Sequence, residues 1–223
     1  GYINVPGVFK AIVRCFILCI TLLWNKLRGV KIVWTVHNLA PHDAHHPRMA
    51  STVLKIFVRA CDGFIFLSRT SEQAFLQKFK IRAHQKRAII PRGHYRDIYK
   101  DHPTREEARR LLGLPADKKA LLFLGLIKPY KNVDGLIESF QTLQAKDTIL
   151  IIAGAADEKT TADLKALIAG HPDIYIFPGL VPDEQMGTFF AAADLMVLPY
   201  KAILNSGVAF LSLSFNRHVL APA

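Results

Sequence analysis

The chain has 223 residues, 51% of them hydrophobic, with 29 Lys and Arg against 18 Asp and Glu and a formal net charge of +11. That length and apolar content exclude a disordered chain and suit two compact units better than one. Three cysteines with no C-x-x-C pair exclude a disulfide framework or a zinc ribbon and agree with a reducing, cytosolic setting.

The charge is unevenly spread. Residues 1–118 hold 21 Lys and Arg against 8 Asp and Glu, whereas residues 119–223 hold 8 against 10. A basic half of this kind suits an anionic membrane surface, a nucleic acid or an anionic substrate, and charge alone does not choose among them. The sequence starts without Met or a signal peptide, and residues 219–223 stop inside an apolar, strand-like run. The expectation is a fragment, with structure missing at both ends.

In chain order, residues 8–27 read as a helix whose uninterrupted apolar or hydroxyl core, 15–24, is too short for a bilayer crossing that needs about 20 apolar residues. With Lys10, Arg14, Lys26 and Arg28 flanking it, the segment reads either as a helix lying in the membrane interface or as a buried helix with snorkelling basic ends. A β-branched strand follows at 30–36, then a loop at 37–47, a helix at 49–60 and a buried strand at 63–67. A helix at 70–79, with Ser68 or Ser71 near its N-cap, and a short strand at 88–90 complete the first series. Alternating helices and buried strands imply a parallel sheet covered on both faces.

Residues 92–103 are polar and charged, without apolar periodicity, and read as a connection, which sets expected domains of 1–103 and 104–223. Thr104 and Glu107 stand in capping-box spacing ahead of a short helix closed by Gly113. A second series then runs strand 120–124, helix 133–144, strand 148–153, helix 161–169, strand 174–177, helix 184–193, strand 195–198 and helix 207–215. The fold class is α/β, two parallel-sheet domains in tandem.

The junction 121–140, LLFLGLIKPYKNVDGLIESF, is the most informative stretch. An apolar strand closed by Gly125 leads through a loop carrying Lys128 and Lys131 into a helix. Such loops at the carboxyl ends of parallel strands face the ligand crevice, and the next helix offers unpaired N–H groups to an anion. Two lysines in a surface turn marked by Pro129 and Asn132 are the competing, purely solvated reading.

Taken in order, FLGLIKPYKNVDGLIESF, ILIIAGAA, YIFPGLVP and ADLMVLPY with the following helix resemble the nucleotide-sugar domain of the GT-B glycosyltransferases, in particular the group 1 or family 4 type. VWTVHNLAPHD and IPRGHYRDIY resemble the cleft-facing loop and closing strand of the family's first domain. The resemblance implies two Rossmann-like domains facing a cleft, both incomplete here. It also implies sugar transfer from a UDP- or GDP-linked donor to a glycan or lipid-linked acceptor in surface polysaccharide biosynthesis. The second domain would bind the donor and the first the acceptor. The enzyme would be a metal-independent hexosyltransferase without a cofactor, cytoplasmic or peripheral on the inner face of the plasma membrane.

By the same resemblance, Lys128 and Lys131 would neutralise the donor diphosphate, and Asn205, Ser206 and Gly207 would add donors at a helix N-terminus. Gly179 and Val181 would meet the base through main chain, His37 would touch the sugar or assist proton transfer, and Arg92, Gly93 and His94 would line the other wall. Plain alternatives stand beside these: a helix cap for Asn-Ser-Gly, a strand-capping histidine for His37, a hinge turn for 92–94.

Where family members carry two glutamates eight positions apart, this chain has Ile203 and Leu211. The second reading is therefore a degenerate partner that binds donor without transferring sugar. A third class, a metal-dependent hydrolase, would use His37, His42, Asp43, His45 and His46, although their spacing matches no helix-borne H-x-x-x-H and Pro41 and Pro47 make the segment irregular. No G-x-G-x-x-G follows a strand, and no recognised nucleic-acid motif accompanies the basic half.

Overall fold

A computed structural model describes residues 7–39, 46–99, 101–201 and 205–222. The chain divides into two compact units, Gly1–Arg92 and Gly93–Ala223.

The first unit opens with helix α1 (Val8–Leu27), followed by strand β1 (Val33–Val36), helix α2 (Pro47–Ala60), strand β2 (Gly63–Phe66), helix α3 (Arg69–Lys78) and strand β3 (Lys86–Ile89). The three strands form one parallel sheet in the order β1-β2-β3, with Val33 opposite Gly63 and Gly63 opposite Lys86. Its core is aromatic: Phe64, Phe66 and Phe75 are buried, and Trp34 meets Phe57, Phe64 and Phe75 edge-on at 5.4 to 6.4 Å. Helix α3 starts where a reciprocal capping box allows it, Ser68 accepting from the Ser71 N–H and Ser71 accepting from the Ser68 N–H. Asp62 binds Lys26 Nζ at 2.7 Å and the Ile32 N–H at 2.8 Å, tying the end of α1 to the strand entry.

The second unit contains helix α4 (Arg105–Leu111), strand β4 (Lys119–Leu124), a single 3-10 turn (Pro129–Lys131), helix α5 (Val133–Leu143), strand β5 (Thr148–Gly154) and helix α6 (Glu158–Ile168). Strand β6 (Ile174–Pro178), helix α7 (Asp183–Ala192), strand β7 (Leu195–Val197), helix α8 (Gly207–Ser214) and strand β8 (His218–Leu220) follow. All five strands are parallel, in the order β6-β5-β4-β7-β8. Strand β5 is buried from Ile149 to Ala153, which accounts for its unbroken apolar run; a strand covered on both faces has no polar side to alternate with. Helix α5 turns Val133, Leu136, Ile137 and Phe140 into that core, the stripe its sequence period requires.

Residues 93–103 sit with the second unit. The Tyr95 N–H donates to Ser214 Oγ at 2.9 Å, and the rings of Tyr99 and His102 lie 5.5 and 5.4 Å from that of Phe215. Gly187 on α7 makes room for this segment, since a Cβ there would stand 2.7 Å from the Cβ of His102. Helix α4 is fixed by Arg109, whose buried guanidinium donates to the carbonyls of Ala192, Pro115 and Ala116 and to Asp194 Oδ2 at 2.9 Å. Asp194 also accepts the Ala120 N–H at 2.7 Å, so one carboxylate joins α4 to the first residues of β4.

Candidate functional site

The strand order of the second unit fixes where its site lies. From β4 the chain winds outward through β5 and β6 and then returns to β7 on the other side, so the connections leaving the carboxyl ends of β4 and β7 diverge. In an open parallel sheet that divergence is the ligand crevice. The loop 125–131 stands on one side of it, and residues 198–201 and 205–206, which precede α8, stand on the other. The two loops touch, the Lys201 N–H donating to the Tyr130 carbonyl at 3.0 Å.

Within the crevice the two lysines differ. Lys128 is exposed. Its charge assists the Thr160 hydrogen bonds, the larger cause, in holding the Asp157 carboxyl below its ordinary range. Lys131 ends the 3-10 turn and is only 8% exposed. Its ammonium stands 5.9 Å from the centre of the Phe123 ring and 5.5 Å from that of Tyr200, and among the described residues no carboxylate pairs with it. Burial holds its pKa below the usual lysine value. A cation withdrawn from water without a counter-ion is costly unless an anion arrives to complete it.

Glycine creates the space. Gly125 has a φ of +134°, and a Cβ there would lie 3.1 Å from Lys131 Nζ, so only glycine both adopts this backbone and leaves the ammonium its place. Gly154, at the end of the neighbouring strand, would drive a Cβ to 1.9 Å from the Gly125 carbonyl oxygen. Gly179 follows β6 with a φ of +122°, its N–H donating to the Gly154 carbonyl at 3.2 Å. Val181 is buried in the core and offers a ligand no side chain. The carboxyl edge of β4, β5 and β6 is thus a strip of main chain.

On the other side, Ser206 caps α8 by accepting the Ala209 N–H at 3.3 Å, and Gly207 is the first helical residue. Asn205 precedes them, half-buried. The structure therefore brings Lys131, Ser206 and Gly207 to the two loops of one crevice, with Gly179 two strands away along the same edge. Tyr200 belongs to the group although sequence reading passed over it: it is 5% exposed, and its ring lies 5.5 Å from the Lys131 ammonium. The signal was its place directly beyond the strand that feeds α8. Leu211 lies in the core, and Ile203 falls outside the described residues.

In the first unit His37 follows β1 directly and is exposed, while Arg92, half-buried, follows β3, so both stand at the carboxyl edge of one parallel sheet. Gly93 and His94 are exposed and begin the second unit. Of the histidine cluster, His42, Asp43 and His45 lie outside the described residues. Among the described residues no three His, Cys, Asp or Glu are grouped as metal ligands.

Two parallel-sheet α/β units agree with the GT-B fold, and solved structures of that fold superpose on this chain. Sucrose-phosphate synthase from Thermosynechococcus elongatus aligns with a TM-score of 0.72 at 22% identity over 88% of this chain and 52% of its own. Anabaena HepE, in complex with UDP and glucose, aligns at 0.74 and 16% identity over 95% of this chain and 56% of its own. Residues 104–204 match the family described as glycosyl transferases group 1. The chain is 31% identical over 210 residues to the GDP-mannose:glycolipid 4-beta-D-mannosyltransferase of Xanthomonas campestris pv. campestris, covering 92% of this chain and 54% of that protein. It is 30% identical over 122 residues to the lipopolysaccharide 1,2-N-acetylglucosaminetransferase of Salmonella typhimurium, covering 50% of this chain and 32% of that one. The family model and the relatives support a group 1 glycosyltransferase, and the chain spans about half the length of the curated relatives it matches.

Proposed function

We propose that the protein transfers a sugar from a nucleotide-diphosphate donor to a glycan or lipid-linked acceptor in the assembly of surface polysaccharide. The observation that carries this reading is Lys131: a buried ammonium at the switch point with no carboxylate partner among the described residues. Departure of a nucleoside diphosphate leaves negative charge on its terminal phosphate, and a fixed cation with oriented N–H groups stabilises that charge without rearranging. Lysine and helix terminus together do what a bound metal does in other diphosphate sites. Relatives named for a GDP-mannose donor and a neighbour solved with UDP support a UDP- or GDP-linked sugar.

His37, at the open edge of the first sheet, is assigned to the sugar or to proton transfer from the acceptor, and Arg92, at the carboxyl edge of the same sheet, to the wall beside it. Asn205, Gly179 and Val181 are assigned to donor contacts through main chain and, for Asn205, its amide. The degenerate and metal-hydrolase readings draw no support from the relatives.

The test is a transfer assay on Lys131→Ala, which should fall more than tenfold in turnover while its circular dichroism stays that of the parent. Unchanged turnover sinks the diphosphate assignment. In the same assay His37→Ala should lower kcat and leave the KM for donor nearly unaltered; a change confined to the donor KM would move His37 out of the chemistry.

The helix α1 supports peripheral attachment to an anionic membrane surface on the cytoplasmic side. Only Ala11 and Leu22 of its residues are buried, and Phe9, Phe16, Leu23, Trp24 and Leu27 are each at least 60% exposed. Lys10 and Arg14 border that stripe.

A further inference from the structure

Among the described residues, helix α8 is held most firmly at its C-terminal end. Of its eight residues the buried ones, Leu211 and Ser212, belong to the second half, whereas Gly207, Val208 and Ala209 are half-buried and Phe210 is exposed. Directly beyond the helix, Phe215 is buried and stacks on Phe190 of α7 with ring centres 4.7 Å apart and planes at 9°. Arg217 strengthens that anchor by donating to the Phe190 carbonyl at 2.8 Å and to the Ala191 carbonyl at 3.3 Å. The helix is about 12 Å long, so a tilt of about 5° at the anchored end moves its first turn by about 1 Å. A misplacement of about 1 Å at a reacting centre can cost about a hundredfold.

The last turn has a second partner, the segment by which the chain enters the second unit. The Tyr95 N–H donates to Ser214 Oγ at 2.9 Å, and Ser214 Oγ donates to the Phe210 carbonyl at 2.7 Å. A backbone N–H only donates, so the hydroxyl accepts from Tyr95 and its single proton goes to Phe210, a relay from the segment into the first half of the helix. The rings of Tyr99 and His102 support the same junction, 5.5 and 5.4 Å from that of Phe215.

We propose that Ser214 is a positioning residue for the donor site: it couples the segment around Tyr95 to α8 and so sets where the first turn of that helix stands. The assignment rests on the glycosyltransferase reading and adds to it control of the donor crevice by the connection between the two units. Ser214 lies about 10 Å along the helix from Gly207, too far to touch a donor at the first turn. Phe215 and Arg217 keep the helix folded against α7, and the relay supplies its direction. Without the relay the unit stays folded, but the N–H groups of the first turn are no longer aimed at one point.

The test titrates the 223-residue chain with GDP and UDP at a temperature where parent and variants are fully folded. Ser214→Ala removes both bonds of the relay and should bind the preferred nucleotide about tenfold more weakly, whereas Ser214→Thr restores the hydroxyl and should come within about twofold of the parent. A role confined to stability leaves the affinity of a fully folded chain unchanged, so equal affinity of parent and Ser214→Ala overturns the assignment. A Ser214→Thr chain as weak as Ser214→Ala does the same. Tyr99→Leu loosens the segment from Phe215 without altering α8 and should weaken binding by about threefold in the parent and by less in the Ser214→Ala background. No effect of Tyr99→Leu, or an equal effect in both backgrounds, also overturns the coupling; if Ser214→Ala does not melt cooperatively, Tyr99→Leu in the parent decides alone. A parent chain that binds neither nucleotide overturns the donor reading itself, whereas a parent that binds beside an unaffected Ser214→Ala overturns the positioning role only.

Discussion

Lys131 sets function against stability within one side chain. Its ammonium is buried near two rings with no carboxylate to balance it among the described residues, so replacing it by an apolar side chain of similar length should stabilise the fold even as, on the proposed reading, it removes donor binding. Lys131→Met is expected to melt at a higher temperature than the parent, followed by circular dichroism at neutral pH. The pH dependence has a definite sign. A lysine whose pKa is lower in the fold than in the unfolded chain sheds its proton first in the fold, so the penalty is complete below the folded pKa. It is relieved as pH climbs from that value toward the ordinary 10.5, and the gap between Lys131→Met and the parent should narrow over that interval. A gap that widens with pH would show that the charge is not what the mutation removes. Spacing in the sequence placed both lysines in the loop but could not separate them. Burial does, because Lys131 ends a 3-10 turn that rotates it inward and Lys128 precedes that turn.

The elements were largely legible because each rests on a local cause. Helix α4 begins at Arg105 because Thr104 and Glu107 form the capping box their spacing announces, and α5 follows its apolar stripe. Other boundaries moved for equally local reasons. Strand β1 begins at Val33, not 30, because the Val30 N–H closes the end of α1 on the Asn25 carbonyl. Helix α2 starts at Pro47, where a missing N–H costs nothing, and α6 starts at Glu158 because Asp157 caps it. The 3-10 turn escaped notice, since three residues carry no periodic signal. The packing of 93–103 did too: its contacts come from isolated rings meeting Phe215 and from the absence of a side chain at Gly187, which no window on the segment itself contains. Asp194 joins three elements, and its removal leaves Arg109 buried with carbonyls as its only described acceptors. Asp194→Ala should destabilise the second unit by about 3 kcal/mol in urea unfolding, and a loss below about 0.5 kcal/mol would mean the carbonyls suffice.

At the scale of the molecule, the excess positive charge of residues 1–118 and the bare stripe of α1 suit the same kind of surface. On the proposed attachment, apolar area would enter the headgroup boundary while lysine and arginine met anionic lipid, and each term alone is weak. The parent should co-sediment with vesicles rich in phosphatidylglycerol, less so in high salt. Phe16→Asp combined with Leu23→Asp should abolish binding without altering the fold, because both side chains are solvent-exposed; retained binding would remove α1 from the membrane contact. The unpaired lysine has a last consequence, felt by the whole complex and not by the side chain alone. On the proposed reading, a diphosphate settling beside Lys131 would restore the ammonium's preference for its proton, so in alkaline solution donor capture would draw a proton from the buffer. The heat of binding will then differ between buffers of different ionisation enthalpy, which makes donor recognition a proton-consuming reaction that a calorimeter can count.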